Sequence, residues 1–213
     1  MCKVCEELHR LAFGLTRLRF PFDAKSLPLN GIYVLFEKGE FGHNEDRIVR
    51  VGTHNGDNKL PSRLMEHFDR ENKDRSIFRK NVGRAILNKN QDPFLKQWEL
   101  DLTSREARKR LSSKIDIKRQ WEIEHEVTSY IRQNLSFCAF PVKDKNRRLE
   151  LESRMISTIS LCCDCSASPV WLGRYSLVEK IRESGLWNVK GLYKKPLDER
   201  DMAELKASSE RLC

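Results

Sequence analysis

Two runs decide the fold: Gly31-Ile32-Tyr33-Val34-Leu35-Phe36 and Ile48-Val49-Arg50-Val51. Both are rich in β-branched and aromatic residues, which favour strands. The stretch between them, residues 38–46, contains glycine, asparagine and aspartate and is typical of a turn region. We therefore expect two antiparallel strands here.

Apolar residues at helical spacing predict further elements around this pair. These are a leading helix over residues 4–18, helices over 61–68, 77–87, 118–134 and 147–161, and a third strand over 135–142. The helix over 118–134 is expected to turn four side chains inward: Trp121, Val127, Tyr130 and Ile131. Strands, then helices, then another strand and helix indicate a mixed α+β fold.

Composition limits the class of protein. The chain has 213 residues, of which 39% are hydrophobic, so it can bury a core, and disordered or fibrous proteins are excluded. This length predicts one domain, or one domain with a small appendage. Forty Lys and Arg against 31 Asp and Glu give a net charge of +9, which attracts polyanions. Nucleic acid is therefore the leading candidate partner.

The chain shows no membrane or secretion signal. No apolar run approaches the ~18 residues of a membrane span, and the first residues lack the apolar core of a signal peptide. Seven cysteines, an odd number, are more typical of reduced thiols than of a disulfide framework. We expect a cytoplasmic protein without a membrane partner. The sequence carries no dimer signature, and a homodimer stays an open alternative.

Glu152 stands out by helical geometry alone. If residues 147–161 are helical, Leu151, Met155 and Ile156 share one arc of the helix, and Glu152 lies inside that arc. A carboxylate on a buried face needs a cation, a hydrogen-bonding group or a cleft. The pattern leaves open whether Glu152 closes an ion pair or faces a cleft.

Arg63 and His67 are four residues apart and share one edge of their helix. Both can reach one ligand: arginine offers forked donors to phosphate, and histidine can exchange a proton with it. The alternative is an ordinary solvated helix edge. Tyr33 lies mid-strand, where aromatic packing alone explains it.

Taken together, these residues resemble the GIY-YIG nuclease superfamily in order and spacing. Gly31-Ile32-Tyr33 matches the first motif, and Arg50-Val51-Gly52 occupies the place of the second. Arg63 and His67 match the helix-borne arginine and the histidine one turn later, and Glu152 matches the glutamate followed by paired aliphatic residues.

The resemblance implies an α+β fold with a small three-stranded antiparallel sheet flanked by helices. It implies an N-terminal helical extension over residues 1–28, a nuclease domain over 29–165 with a helical insertion at 90–134, and a C-terminal helical extension over 166–213. The longer standalone prokaryotic, restriction-type members have such additions.

The resemblance also implies the activity, a DNA endonuclease that hydrolyses phosphodiesters with one Mg²⁺ or Mn²⁺. Glu152 would hold the metal, Tyr33 would deprotonate the attacking water, and Arg63 would stabilise the phosphoryl group. His67 would take up the proton.

Two departures from the family pattern keep a second hypothesis open. Arg50 replaces the tyrosine of the second motif, and the stretch after the glutamate, Ser168-Pro169-Val170-Trp171, lacks the family's asparagine. A catalytically inactive nucleic-acid-binding module of the same fold is therefore the alternative. A third hypothesis is an interaction protein stabilised by zinc.

Basic side chains outside the motifs are candidates for DNA contacts, since phosphate contacts supply affinity without sequence readout. The candidates are Arg50, His54, Arg105, Arg108, Lys109 and Arg110, with Lys190, Lys194 and Lys195 near the C-terminus. A solvated helix face is the alternative for each of them.

The cysteines form two pairs at the spacing of four-thiolate zinc sites. These are Cys2 with Cys5 and Cys162 with Cys165. A structural Zn²⁺ joining the leading helix to the end of the Glu152 helix is one interpretation, and free buried thiols are the other.

Overall fold

The central element is a three-stranded antiparallel sheet, seen in a computed structural model that describes residues 2–210. Its strands are β1 (Gly31–Gly42), β2 (Glu45–Gly52) and β3 (Leu135–Pro141), in the order β2-β1-β3. The sheet is flanked by helices, so the expected α+β fold is confirmed.

The hairpin between β1 and β2 is longer than expected. Pairing continues to Phe41 opposite Asp46 and Gly42 opposite Glu45, so most of the anticipated turn region is strand. His43 and Asn44 alone make the turn, with φ of 55° and 63°. Consecutive left-handed residues form the tight turn whose twist matches that of the strands, and pairing is regular again at the tip after a break in register between Phe36 and Phe41.

Nine α-helices surround the sheet within residues 2–210. They are α1 (Cys2–Phe13), α2 (Leu60–Phe68), α3 (Ile77–Lys89), α4 (Leu95–Trp98), α5 (Arg105–Leu111), α6 (Ile117–Asn134), α7 (Lys145–Ser160), α8 (Glu179–Ser184) and α9 (Glu199–Ser209). The helices that begin after Ser76, Ser104, Asp116, Asp144 and Asp198 have a side-chain cap on their first turn. Over this range, every helix is too short or too polar to cross a bilayer.

Both faces of the sheet are buried, and each covers a separate core. Tyr33 and Leu35 of β1 face a core with α2, α3 and α6. Ile32, Val34 and Phe36 face the opposite core, built with α1, α7 and α9. Alternation along one strand therefore sends Tyr33 to one core and its neighbours to the other.

Trp121 does not face inward as expected; it is 68% exposed. Ile123, Val127 and Ile131 form the buried stripe of α6, and Trp121 lies outside it. Glu124 occupies the stripe instead, because its carboxylate pairs with the buried Arg79 at 2.9 Å. Buried polar partners thus override the hydrophobic pattern here.

The C-terminal segment is tied to β1 through a buried carboxylate. Glu37 accepts hydrogen bonds from the indoles of Trp171 and Trp187 at 2.9 and 3.0 Å, and from the hydroxyl of Tyr130. Burial raises the pKa of Glu37, and these three hydrogen bonds oppose that rise. The first part of the C-terminal segment therefore packs on the Tyr33 face of the sheet, whereas α9 packs with α1 on the other face.

Candidate functional site

Tyr33 is held beneath strand β2. Its side chain is fully buried, and its hydroxyl lies so close to Gly52 that a Cβ there would approach it to 2.3 Å. Only glycine fits this contact. The glycine that ends β2 is thus required by the tyrosine of β1.

His67 of α2 contacts the Tyr33 hydroxyl directly, with Nε2 at 2.7 Å. Its Nδ1 lies 2.8 Å from the hydroxyl of Ser76, which also accepts the Arg79 backbone N–H as the cap of α3. The arrangement favours the tautomer in which Nδ1–H donates to Ser76 and Nε2 accepts from Tyr33. The sequence places Ser76 only as a capping residue before α3, and its contact with His67 could not be predicted from it.

The histidine is neutral at physiological pH. Burial lowers the pKa of His67 well below its ordinary value, and the charges of Arg63, Arg50 and Arg79 lower it further. A neutral imidazole with a free Nε2 lone pair can accept the tyrosine proton.

Arg50 fills the place of the family's second tyrosine, and it too contacts Tyr33. Its Nε lies 3.4 Å from the Tyr33 hydroxyl, and its Nη1 donates to the Trp187 carbonyl at 2.8 Å. The guanidinium lies over Phe78, 5.1 Å from the ring centroid. Arg50 therefore lies between the Tyr33–His67 pair and the molecular surface.

That surface is an open cleft of about 810 Å³, lined by Arg63, Glu152 and Arg50 together. Six basic side chains and two carboxylates line it: Arg50, Lys59, Arg63, Arg70, Arg75 and Lys190, with Glu66 and Glu152. A cleft with this excess of positive charge focuses a field that attracts anions. Arg63 uses Nη1 for Glu66 at 2.8 Å and the Arg75 carbonyl at 3.1 Å.

Glu152 faces this cleft rather than closing an ion pair. Within residues 2–210, no cationic group lies within 4.0 Å of its carboxylate. Burial raises the pKa of Glu152, whereas Arg50, the Thr53 backbone and Arg63 lower it. The carboxylate is thus partly desolvated and available to a ligand.

The other predicted DNA contacts lie partly in the cleft and partly outside it. His54 lines the cleft, but it is buried, and its ring nitrogens lie 3.3 Å from the Gly31 backbone nitrogen and 3.0 Å from the Gly56 carbonyl, which favours a structural role. Arg105, Arg108, Lys109 and Arg110 are on α5, which does not line the cleft. Lys190 and Lys194 line a hollow that continues the cleft past Glu152.

Asn188 is a residue that the sequence did not single out. Its amide clamps the edge of β2, with Oδ1 accepting the Val51 N–H at 3.1 Å and Nδ2 donating to the Val51 carbonyl at 2.8 Å. It lines the same hollow as Glu152. An asparagine thus reaches the site from much farther along the chain than the family pattern places it. In the sequence, Asn188 is marked only by its place directly after Trp187.

The two predicted cysteine pairs meet at the end of α7, and two histidines lie beside them. Cys5 and Cys165 lie together with His9 and His43. Cys2 and Cys162 lie in an adjacent group with Asp164.

Comparison with known proteins gives one result. The family described as the GIY-YIG domain matches residues 2–211, which is nearly the whole chain. No curated protein and no solved structure matches significantly. The match covers the sheet, the cleft and both terminal segments, and the chain belongs to the GIY-YIG family, with its nuclease-type fold.

Proposed function

We propose that the protein is a divalent-metal-dependent DNA endonuclease that hydrolyses phosphodiesters in the cleft between α2, β2 and α7. The observation that carries the proposal is that Arg63 and Glu152 line one cationic cleft, with the buried Tyr33–His67 pair directly behind Arg50 of that cleft. Packing alone does not require these four polar groups in one place. Family membership supports the same activity.

The residues present fit a hard divalent cation. Glu152 offers a carboxylate oxygen in an open cleft, which suits Mg²⁺ or Mn²⁺ because Mg²⁺ keeps most of its water ligands. When bound, the ion would stabilise the leaving oxygen. Since basic side chains dominate the cleft, metal affinity should rise when DNA phosphates add negative charge.

Arg63 is positioned to bind the reacting phosphate. Among the described residues, its hydrogen bonds all involve Nη1, which leaves Nε and Nη2 for a ligand at the cleft. A forked donor of this kind stabilises the charge that builds on phosphoryl oxygens.

Tyr33 and His67 form the proton path. The attacking water bonds to phosphorus while its proton passes to the Tyr33 oxygen, and the Tyr33 proton passes to His67 Nε2. The bond from phosphorus to the leaving sugar oxygen breaks, and that oxygen takes a proton from solvent water in the open cleft, giving a phosphomonoester and an alcohol. His67 then returns its proton through Tyr33 to solvent.

Arg50 controls access to this path, because the Tyr33 hydroxyl is fully covered in the free chain. A phosphate in the cleft competes with the Trp187 carbonyl for the Arg50 guanidinium. Movement of Arg50 toward the phosphate would uncover the hydroxyl for water.

The test is cleavage of supercoiled plasmid by the full chain with Mg²⁺ or Mn²⁺, beside the Glu152→Gln variant. Omission of the added metal serves as the control in place of a strong chelator, which would also strip other metals. Nicked or linear DNA that needs both Glu152 and the metal is the expected result. Cleavage unchanged in Glu152→Gln would contradict the proposal.

The alternative, an inactive nucleic-acid-binding module, is favoured by one observation, the complete burial of the Tyr33 hydroxyl. It predicts salt-sensitive DNA binding without cleavage in wild type and Glu152→Gln alike. The same experiment, with binding measured in parallel, separates the two functions.

A further inference from the structure

We propose that the chain holds a structural zinc ion through Cys5, His9, His43 and Cys165, at the end of α7 away from the cleft. One potential ligand atom from each of these four side chains lies within 4.8 Å of those of the other three. Zinc in proteins prefers such a set of sulfur and imidazole ligands, and closed four-ligand sites are structural.

Three separate parts of the chain bring the ligands together. Cys5 and His9 are four residues apart on one face of α1, and Cys165 follows α7. His43 comes from the hairpin tip, where its φ of 55° places it in a left-handed conformation that few side chains adopt. The tight turn thus carries a histidine rather than the usual asparagine or glycine.

The His9 ring is oriented as a metal ligand would be. Its Nδ1 lies 2.8 Å from the Cys5 carbonyl and donates to it, which leaves the Nε2 lone pair facing Cys165 Sγ at 3.5 Å. Histidine ligands commonly donate their second nitrogen to a backbone carbonyl in this way. The Ile48 N–H, 3.2 Å from Nε2, is the partner that the metal would replace.

Burial and charge favour this set over four thiolates. Cys5, His9 and Cys165 are buried, with exposures of 0, 0 and 3%. Two thiolates and two neutral imidazoles balance the charge of Zn²⁺, whereas four thiolates would leave a net charge of −2 beside an apolar core. Binding releases the thiol protons of Cys5 and Cys165.

Cys162 lies beside the set, with Sγ at 3.3 Å from His43 Nε2, and it provides a test of the ligand assignment. Cys163 is exposed and lies 3.3 Å from Cys2, outside the four proposed ligands.

The proposed zinc site is separate from the cleft, because about 12 Å of helix lies between Glu152 and the end of α7.

The experiment measures metal content in the full chain, purified with a non-chelating reductant. We expect about one zinc per chain by mass spectrometry of the metal, and a cobalt form with the absorption of tetrahedral sulfur and nitrogen ligation. His43→Ala and Cys165→Ser should weaken zinc binding by more than about 100-fold, since loss of indirect support alone costs 10- to 100-fold. Cys163→Ser and Cys162→Ser should keep the metal.

Each other outcome overturns the proposal. A chain that binds neither zinc nor cobalt removes the site, and retention of zinc in His43→Ala removes this ligand set. Loss of zinc in Cys162→Ser, with retention in His43→Ala, would establish four-cysteine ligation instead. If Cys165→Ser fails to fold, His43→Ala at the half-buried turn still decides the question. The Glu152→Gln variant should keep its zinc, so failure of the nuclease proposal leaves this test intact.

Discussion

Two clusters of titratable side chains lie along helix α7, and they differ in accessibility and charge. Around Glu152 the cleft is open and lined mainly by arginine and lysine. Beyond Ser160, the cluster of Cys5, His9, His43 and Cys165 is largely closed and sits against an apolar core.

This difference matches two uses of metal ions. A site that turns over substrate needs an open coordination position and exchangeable water, whereas a structural site needs closure and charge balance. The same helix can serve both because its middle faces the cleft and its end meets α1 and the hairpin turn. Variants at either site, each with a matched control, test this division.

Tyr33→Phe should lower kcat by about 10²–10⁴-fold, because it removes the hydroxyl that passes the proton to His67. DNA affinity should change little, whereas the melting temperature should fall because His67 Nε2 loses its buried hydrogen-bond donor. Tyr130→Phe is the matched control: it also loses a partly buried hydroxyl, which binds Glu37 away from the cleft. It should lose stability and keep its kcat. Equal losses of kcat in both variants would show that Tyr33 acts only through packing.

Arg63→Ala should lower kcat by about 10²–10³-fold, equivalent to roughly 3–4 kcal/mol of transition-state stabilisation. Single-turnover cleavage at saturating DNA measures this effect. Arg10→Ala is the control, since Arg10 also pairs with a glutamate of its own helix, at 2.7 Å, but lies on α1. Cleavage should be unaffected in that variant, and a similar loss in both would remove the special role of Arg63.

Glu152→Gln should raise the free energy of unfolding at pH 7 by about 0.5–2 kcal/mol while cleavage is lost. Burial raises the pKa of Glu152, so the folded state favours its neutral form. In the wild-type chain, the stabilising contribution of Glu152 is present in full below the ordinary carboxyl pKa and is lost as the pH rises through the raised pKa. Urea unfolding should therefore show the gain at pH 7 and little gain near pH 4, about the ordinary carboxyl pKa.

Glu150→Gln is a control on the same helix, and its expected change in the free energy of unfolding at pH 7 has the opposite sign. Hydrogen bonding by Arg147 lowers the pKa of Glu150, so its charged form favours the folded state at pH 7. This variant should lose a little stability at pH 7 and not at low pH. Stability changes of the same sign at pH 7 in Glu152→Gln and Glu150→Gln would contradict the environments assigned to the two carboxylates.

Lys190→Ala should weaken DNA binding several-fold and reduce the slope of log affinity against log salt by about 1. Lys190 lines the cleft, whereas Lys109 is on α5. Lys109→Ala should have the smaller effect on binding isotherms taken at several salt concentrations. The reverse order would place the DNA path over α5.

Local patterns predicted much of this molecule. Runs of β-branched and aromatic residues predicted the central parts of β1 and β2. Helical spacing placed Glu152 on the same arc of α7 as Leu151, Met155 and Ile156, and there it is half-buried and lines the cleft. Arg63 and His67 share a helix, as their spacing predicted, but their side chains lie in different surroundings. His67 turns inward to Tyr33, and Arg63 lines the cleft.

Local patterns failed where partners come from distant parts of the chain. Trp121 is exposed because Glu124, paired with Arg79, takes the inward position. Asn188 reaches the edge of β2 only through the packing of the C-terminal segment. His9 and His43 carried no visible signal, because one lies in a helix and the other in a turn.

Periodicity and short motifs were enough to predict the α+β class, the three strands, the longer helices, and Arg50, Arg63 and Glu152 of the cleft. The covering of Tyr33 by Arg50 and the meeting of Cys5 and Cys165 with His9 and His43 were visible only in the folded chain. Such contacts depend on how separate elements pack. Side chains far apart in sequence become neighbours only when both cores close around the sheet.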